Sequence, residues 1–441
     1  FTTATDTNNT AVGFNSGYSI TTGIQNTLIG AEAGDALTDA DYNVAVGVQA
    51  LSSDTLGSQS VAIGNLALFS QNFTTATATY NTAVGQSAGY AVTTGTRNTL
   101  VGALAGLSLT TGGSNVALGY EALKTEDAHG LNTAIGTQAL FSLNAGAHAY
   151  NVAVGYQAGA GVSTGVQNTL VGALAGDALT DADYNVAVGA NALSADTLGS
   201  RSTALGFNTL ATQNFTTATN AYNVAIGHNA GVAITTGTSN TCIGGVAGVA
   251  LTTGTNNVLI GYSAGSSSSV DLTTGSNNIV IGGNRPSLPA GELHSILIGT
   301  VANIAGKGNN TGFISPNSGA VYQGNNSTAW SQTSDRRLKK NIVDSTVGLA
   351  EINQLQVRNF EYRTVDEVTE LEDHTVINKS GVQVGVIAQE IQAILPKCVK
   401  EESTGVLSVD PDNLTWHMVK AVQELSTALD AALARIATLE G

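Results

Sequence analysis

The chain has 441 residues, with 52 glycines, 5 prolines, 42% apolar residues and only 11% charged ones. That is too apolar for a disordered polymer, which needs few hydrophobic groups and many charges, and the glycines follow no Gly-X-Y period, which excludes collagen. The net charge of −16 includes no basic patch, since residues 1–333 hold 5 Lys/Arg against 15 Asp/Glu and residues 334–441 hold 11 against 17; a nucleic-acid partner is therefore not expected.

No apolar run approaches the ~18 residues needed to span a bilayer, so membrane insertion is not expected, and no signal peptide opens the chain. The sequence starts inside a repeat, and a longer natural N-terminus is expected. Cys242 and Cys398 lack metal-ligand or CxxC spacing and read as free packing thiols.

The repeat is Asn-x-Ala-Φ-Gly, with Φ aliphatic. Sixteen copies run from Asn9-Thr-Ala-Val-Gly13 to Asn278-Ile-Val-Ile-Gly282, most of them 17 residues apart, some 19 or 21 where loops have grown. Ser60 and Ser202 replace the Asn; they lie 142 residues apart, and Gln25–Gly89 resembles Gln167–Gly231 at that offset, so a block was duplicated. A 17-residue step is too short for a helix pair and suits one turn of a β-solenoid. Alternation puts Ala on one face of a short strand, where the interior is narrow, and Val, Ile or Leu on the other. A lone chain would expose that aliphatic stripe, which soluble monomers rarely do, so association through it is expected. Thr-Thr-Gly and Asp-Thr-Leu-Gly are expected to supply φ > 0 turns. The repeated Asn reads as a calcium ligand, a sugar-binding residue or a hydrogen-bonded ladder between turns; the Gly-Gly-x-Gly-x-Asp calcium nonapeptide is absent, and the ladder is the expectation. Adjacent Thr pairs point to opposite faces and disfavour an ice-binding array.

This register resembles the head repeats of trimeric autotransporter adhesins over about residues 8–283. The resemblance implies a left-handed parallel β-roll in a threefold assembly for residues 1–283. Residues 284–333 break the period and read as a β-rich tip or connector, with short strands at Val-Tyr-Gln-Gly and Thr-Ala-Trp. There Phe313, Tyr322 and Trp330 are either sugar-contacting or core aromatics.

Residues 334–441 read as a small α/β domain. Val357–Val365 and Gly381–Gly385 alternate like strands, and Ile387, Ile391 and Ile394 share a helical face that Pro396 ends. The terminal helix, 413–441, spaces Met418, Val422, Leu425, Leu429, Ala432, Ile436 and Leu439 as a heptad seam, which implies a short coiled coil; packing on its own domain is the other reading.

The order Ser334-Asp335-x-Arg337-x-Lys339-x-Asn341-Ile342, then Gly385-Val-Ile-Ala-Gln389-Glu390, then a terminal coiled coil, resembles the intramolecular chaperone domain of phage endosialidases and tail fibres, the S74 self-cleaving peptidase family. The resemblance implies a domain that trimerises a nascent β-structured fibre and is then released. It makes Ser334 the nucleophile, Lys339 its partner and Ser334–Asp335 the bond broken, with Arg337, Asn341, Gly385, Gln389 and Glu390 as supporting motif. A serine needs a base to accept its proton, and a lysine serves only where burial or a neighbouring cation disfavours its charged form; Arg336, Arg337 and Lys340 are such neighbours. Family members often carry a histidine before the Gly-x-Ile-Ala-Gln-Glu segment. Here Gln383-Val384 stand in that place, and His374 and His417 are the candidates to assist.

The expected function is a trimeric phage tail fibre, a homotrimer binding a host-surface glycan or protein receptor, made in the host cytoplasm and carried extracellularly on the virion. Its chemistry would be single-turnover self-cleavage, with no cofactor and no metal. A tailspike glycan depolymerase is the alternative; it needs two carboxylates across a cleft, and Asp35, Asp39 and Asp41, repeated as Asp177, Asp181 and Asp183, read as solvated turn acids. A bacterial surface adhesin with the same roll is a third reading.

Overall fold

The computed structural model describes residues 6–283, 285–300, 302–315, 321–324, 330–332, 334–370, 377, 379–402 and 405–440. It divides into two compact units, Phe1–Thr333 and Ser334–Gly441.

The first unit is a parallel β-solenoid. Eighteen strands of three or four residues, from Thr10–Val12 to Gly312–Ser315, stack in parallel, one turn of chain apart. Thr27, Leu28 and Ile29, for example, face Val44, Ala45 and Val46. The period of two sends the middle residue of each strand inside and its neighbours outside. In many turns a leucine fills the interior beside the strand, from either of two places. Where the strand centre is Leu28, Leu100 or Leu170, the residue six positions on is Gly34, Gly106 or Gly176; where it is Ala45, Ala62 or Ala117, that residue is Leu51, Leu68 or Leu123, all buried. A Cβ on Gly34 would stand 2.8 Å from Leu37 Cδ1 and 2.9 Å from Leu28 Cδ2, so at interior packing density a large strand-centre residue leaves no room for a side chain six positions on. Cys242 takes a strand centre and is a free, buried thiol, pushed up to about 12 by burial.

The turn glycines differ from expectation. Left-handed backbone falls at the glycine closing each strand (Gly30, φ +138°), two residues beyond it (Glu32, Gln49) and just before the ladder Asn (Gln25, Tyr42). Gly23 of Thr-Thr-Gly and Gly57 of Asp-Thr-Leu-Gly are not among the positive-φ residues. Space is what requires a glycine there: a Cβ on Gly23 would collide with the Ala40 carbonyl of the next turn.

The repeated asparagines form the ladder. Asn26 Oδ1 accepts the Asn43 N–H at 2.9 Å, Asn43 Oδ1 accepts the Ser60 N–H at 2.9 Å, and Asn43 Nδ2 donates to the Gly57 carbonyl at 2.9 Å. Each carboxamide thus satisfies backbone groups that burial would otherwise leave unpaired. The ladder runs past Gly282: the Ser295 N–H donates to Asn278 Oδ1 at 2.9 Å, and Ile296–Gly299 and Gly312–Ser315 add parallel strands. Ser295-Ile-Leu-Ile-Gly299 is a further copy of the motif, with Ser for Asn as at Ser60 and Ser202. Strands Val321–Gln323 and Trp330–Gln332 then return antiparallel. Phe313 is buried in the core; the side chains of Tyr322 and Trp330 lie outside the described residues.

Where the ladder loses an Asn, a second network replaces it. Gln71 Nε2 donates to Ser60 Oγ at 2.8 Å and to Asp54 Oδ2 at 2.5 Å, and Gln71 Oε1 accepts from Asn81 Nδ2 at 2.9 Å. Asp54 Oδ1 takes the Gly57 and Phe73 N–H groups, both at 3.0 Å. Asp196, Ser202, Gln213 and Asn223 repeat the arrangement in the duplicated block. The acids read as solvated in the sequence are partly braces: Asp41 Oδ1 accepts the Ile24 N–H and Asp183 Oδ1 the Val166 N–H, each at 2.8 Å, tying successive turns together.

Among its described residues the second unit holds three α-helices: α1 (Leu349–Ile352), α2 (Ala388–Ile394) and α3 (Pro411–Glu440). Ile387 caps α2 rather than lying in it, and Pro396 opens a 3-10 turn. Ile391, Leu395 and Cys398 form a small core with Ile352, Leu355, Val399, Val409 and Leu414. The expected strand at 357–365 shortens to Arg358–Phe360, paired antiparallel with Gln383–Gly385. A second hairpin, Val399–Glu401 with Leu407–Val409, carries too little alternation to be read from sequence. Asp410 caps α3, accepting the Asp412 and Asn413 N–H groups at 3.0 and 3.1 Å, with Pro411 in the first turn where a missing N–H does no harm. The start of α3 packs on its own unit: Ala421 is buried and Glu424 Oε2 accepts the Leu349 N–H at 2.8 Å. The heptad seam lies on the other face: Met418, Val422, Leu425, Leu429, Ile436 and Leu439 are all exposed, so it is open along its whole length. Among the described residues no helix is long and apolar enough to cross a membrane.

Candidate active site

Ser334 opens the second unit, and a single 3-10 turn, Arg336–Leu338, bends the chain directly after it. Asp335 caps that turn, its Oδ1 accepting the Arg337 N–H at 2.8 Å. The Arg337 guanidinium folds back on the same carboxylate, Nε to Oδ1 at 3.1 Å and Nη2 to Oδ2 at 2.6 Å. The turn carries the chain round so that Lys339, five residues on, places Nζ 2.6 Å from Ser334 Oγ.

The hydrogen bond from Arg337 holds the Asp335 carboxyl below its ordinary range, and Asp335 in turn raises Arg337. The charge of Arg337 is thus engaged by Asp335 within this turn, while Arg336 and Lys340 are exposed neighbours of Lys339. An amine 2.6 Å from a hydroxyl stands at the separation proton transfer requires: charged, it donates to Oγ; neutral, it takes the Oγ proton and leaves an alkoxide nucleophile.

The second half of the motif is an ion-paired corner. Gly385 pairs with Arg358 across the short sheet, and a Cβ at Gly385 would stand 3.1 Å from the Phe360 ring. Glu390, in the first turn of α2, receives Arg358 Nε at 3.2 Å and Nη2 at 3.0 Å. Arg358 therefore joins strand to helix, a role that sequence reading missed because 32 residues separate it from Glu390 and no local spacing announces the pair. Gln389 is exposed beside a shallow apolar groove formed with Phe360, Ile377, Val386, Ile387 and Leu407. Asn341 is exposed with left-handed backbone, φ +54°, which Asn tolerates.

The structure thus brings Ser334, Asp335, Arg337 and Lys339 together in one turn, and Gly385 and Glu390 together through Arg358. Among the described residues no hydrogen bond or ion pair links the two groups. His374 lies outside the described residues. His417 lies on α3, where its charge adds to the larger effect of the Gly348 N–H in lowering the Glu351 carboxyl.

Residues 334–400 match the family model described as the chaperone of endosialidase, peptidase S74. The match begins at Ser334 and takes in the serine–lysine turn, the Arg358–Glu390 corner and α2. A parallel β-solenoid carrying such a segment points to a trimeric fibre- or tailspike-like protein.

Proposed function

We propose that the protein is the distal part of a trimeric phage tail fibre, which binds a host-surface receptor, and that its C-terminal unit assembles three chains before being released by self-cleavage at Ser334. The observation that carries this reading is the 2.6 Å contact between Lys339 Nζ and Ser334 Oγ, placed at the first residue of both the matched segment and the second compact unit. In this mechanism the neutral Lys339 amine takes the Ser334 Oγ proton and activates the hydroxyl. The net reaction is hydrolysis of the Ser334–Asp335 peptide bond: one water is consumed, Ser334 gains a carboxylate and Asp335 an α-amino group.

Two surfaces support assembly of several chains. The outward residues of the solenoid strands form a continuous aliphatic strip, with Ile29 40% exposed and Leu118 and Leu205 44%. At about 4.8 Å per turn the strip is roughly 80 Å long, far beyond what a monomer ordinarily leaves to water. The exposed seam of α3, from Met418 to Leu439, is the second surface. Solenoids whose strands pair only across long stretches of chain and whose flanks must then meet those of other chains form slowly, and a unit that holds three chains in register lowers that barrier. Its release leaves the fibre without its template, so that the fibre persists by slow unfolding rather than by equilibrium.

Purified full-length chain is expected to run as two fragments on denaturing electrophoresis, with Asp335 at the new N-terminus, and to show a native mass of three chains. Ser334→Ala should migrate as the full chain while keeping the trimeric mass. Equal cutting of that variant removes Ser334 as nucleophile, and a monomeric native mass removes the fibre reading.

A further inference from the structure

The 17-residue turns that precede three of the widened ones each bury an acid that accepts two backbone N–H groups. Two of those acids also accept a hydrogen bond from a side-chain amide: Gln71 Nε2 donates to Asp54 and Gln213 Nε2 to Asp196, each at 2.5 Å. The third, Glu126, accepts the His129 N–H at 3.1 Å and the Ala145 N–H at 3.3 Å and is fully buried. Leu143 stands where the other turns carry Gln71 and Gln213, so Glu126 has no amide donor. What faces it is His129. The His129 Nδ1 lies 3.6 Å from Glu126 Oε1, and it is a buried atom without a hydrogen-bond partner among the described residues. Asp127 adds a second carboxylate, and ligand atoms of Glu126, Asp127 and His129 all lie within 4.8 Å of one another.

The separation is informative. A hydrogen bond between nitrogen and oxygen needs about 3 Å, whereas two ligands each about 2.0–2.1 Å from a tetrahedral zinc ion stand roughly 3.4 Å apart. Glu126 and His129 are spaced more like two ligands of one ion than like a donor and its acceptor. We propose that Glu126, Asp127 and His129 form a site for a divalent cation of the zinc type, with three protein ligands and a fourth position open to water. The imidazole nitrogen favours such an ion over calcium or magnesium, which take oxygen ligands. His148, one turn on, is not a ligand: its Nδ1 accepts the Gly130 N–H at 3.1 Å.

The trio is not part of the repeat. His129 sits three residues before a ladder Asn, where Gly23, Ala40, Gly57, Gly95, Gly112 and Gly165 stand in other turns, and counted the same way from Asn278 the duplicated block carries Leu272, Thr273 and Gly275 in place of the three. The fold builds that position without a side chain, so His129→Ala retains the solenoid. A cation here would balance the buried charge of Glu126 and pin the 19-residue turn through the Ala145 contact.

The test is calorimetric titration of zinc chloride into full-length protein cleared of metal by a chelator, with calcium and magnesium chloride as controls. Wild type is expected to take up about one zinc per chain and to melt higher with it, as binding to the folded state requires. His129→Ala and Asp127→Asn should each lose at least about tenfold in affinity, since even groups that only orient a ligand cost 10–100-fold, while keeping the wild-type circular dichroism spectrum. Three results overturn the proposal: no zinc uptake by wild type with His129 protonated against Glu126 at neutral pH by NMR, equal zinc affinity in His129→Ala, or calcium uptake indifferent to that substitution.

Discussion

Asn168 Oδ1 accepts the N–H of Asn185 at 3.0 Å, while Asn168 Nδ2 donates to the Ala182 carbonyl at 2.7 Å. One buried side chain therefore makes two bonds to the following turn, and the relationship recurs through the solenoid. The closing glycines let the turns approach closely enough for it.

Replacing Asn168 by Ala should leave the Asn185 N–H and the Ala182 carbonyl buried without that partner, at a cost of about 1–3 kcal/mol for the lost pairing. Chemical denaturation of the solenoid measures this. Asn168→Ser should recover little, because serine serves at Ser60 beside Gln71, which supplies the missing amide. A serine variant as stable as wild type would show that the carboxamide is dispensable.

Gln71→Leu imitates the Leu143 turn at a place with no histidine beside the acid. Asp54 would lose its amide donor and Asn81 its acceptor, and the variant should lose about 2–3 kcal/mol, the range for a hydrogen bond to a charged group. An unfolding midpoint unchanged from wild type would mean that Asp54 is satisfied by its backbone donors alone.

Glu292 is almost fully buried with neither carboxylate oxygen hydrogen-bonded among the described residues. Desolvation raises its pKa above the ordinary 4.5, and the polar groups of Ser295 and Gly308 offset only part of this. A carboxyl that holds its proton more tightly when folded weakens the fold as pH rises. The penalty is absent below the unfolded pKa and complete above the raised folded one. Desolvation acts in the same direction on Asp35 and Asp177. Glu292→Gln should therefore melt above wild type at pH 7, with the gap closing as pH falls towards 4. A gap that stays constant across that range would place the effect in packing rather than ionisation.

Val154 is an outward strand residue in the middle of the aliphatic strip, opposite in sense to the buried Ala153. Val154→Lys should leave the strand ladder of each chain intact by circular dichroism and lower the native mass from trimer to monomer. Retention of the assembled mass would locate the contacts between chains elsewhere.

Some of these features are legible in the sequence and others are not, for physical reasons. The Asn ladder, the inward and outward strand faces and the free cysteines follow from a 17-residue period and a two-residue alternation, both of which are local. Ser334 and Lys339 are also local, since five residues and one 3-10 turn suffice to join them. The turn glycines are misread because φ and close approach both demand glycine, and composition does not separate the two. The pairing of Arg358 with Glu390 depends on how a strand meets a helix, and no spacing encodes it.

By itself the sequence determined the repeat, the face that turns inward and the turn that joins Ser334 to Lys339, because each is set by neighbours along the chain. Only the tertiary structure decided that Leu143 leaves Glu126 without an amide while His129 faces it, that Ser295 extends the ladder, and that α3 docks with its first half alone. Those outcomes depend on which groups meet across successive turns and on which are closed off from water, and both arise when the chain stacks on itself.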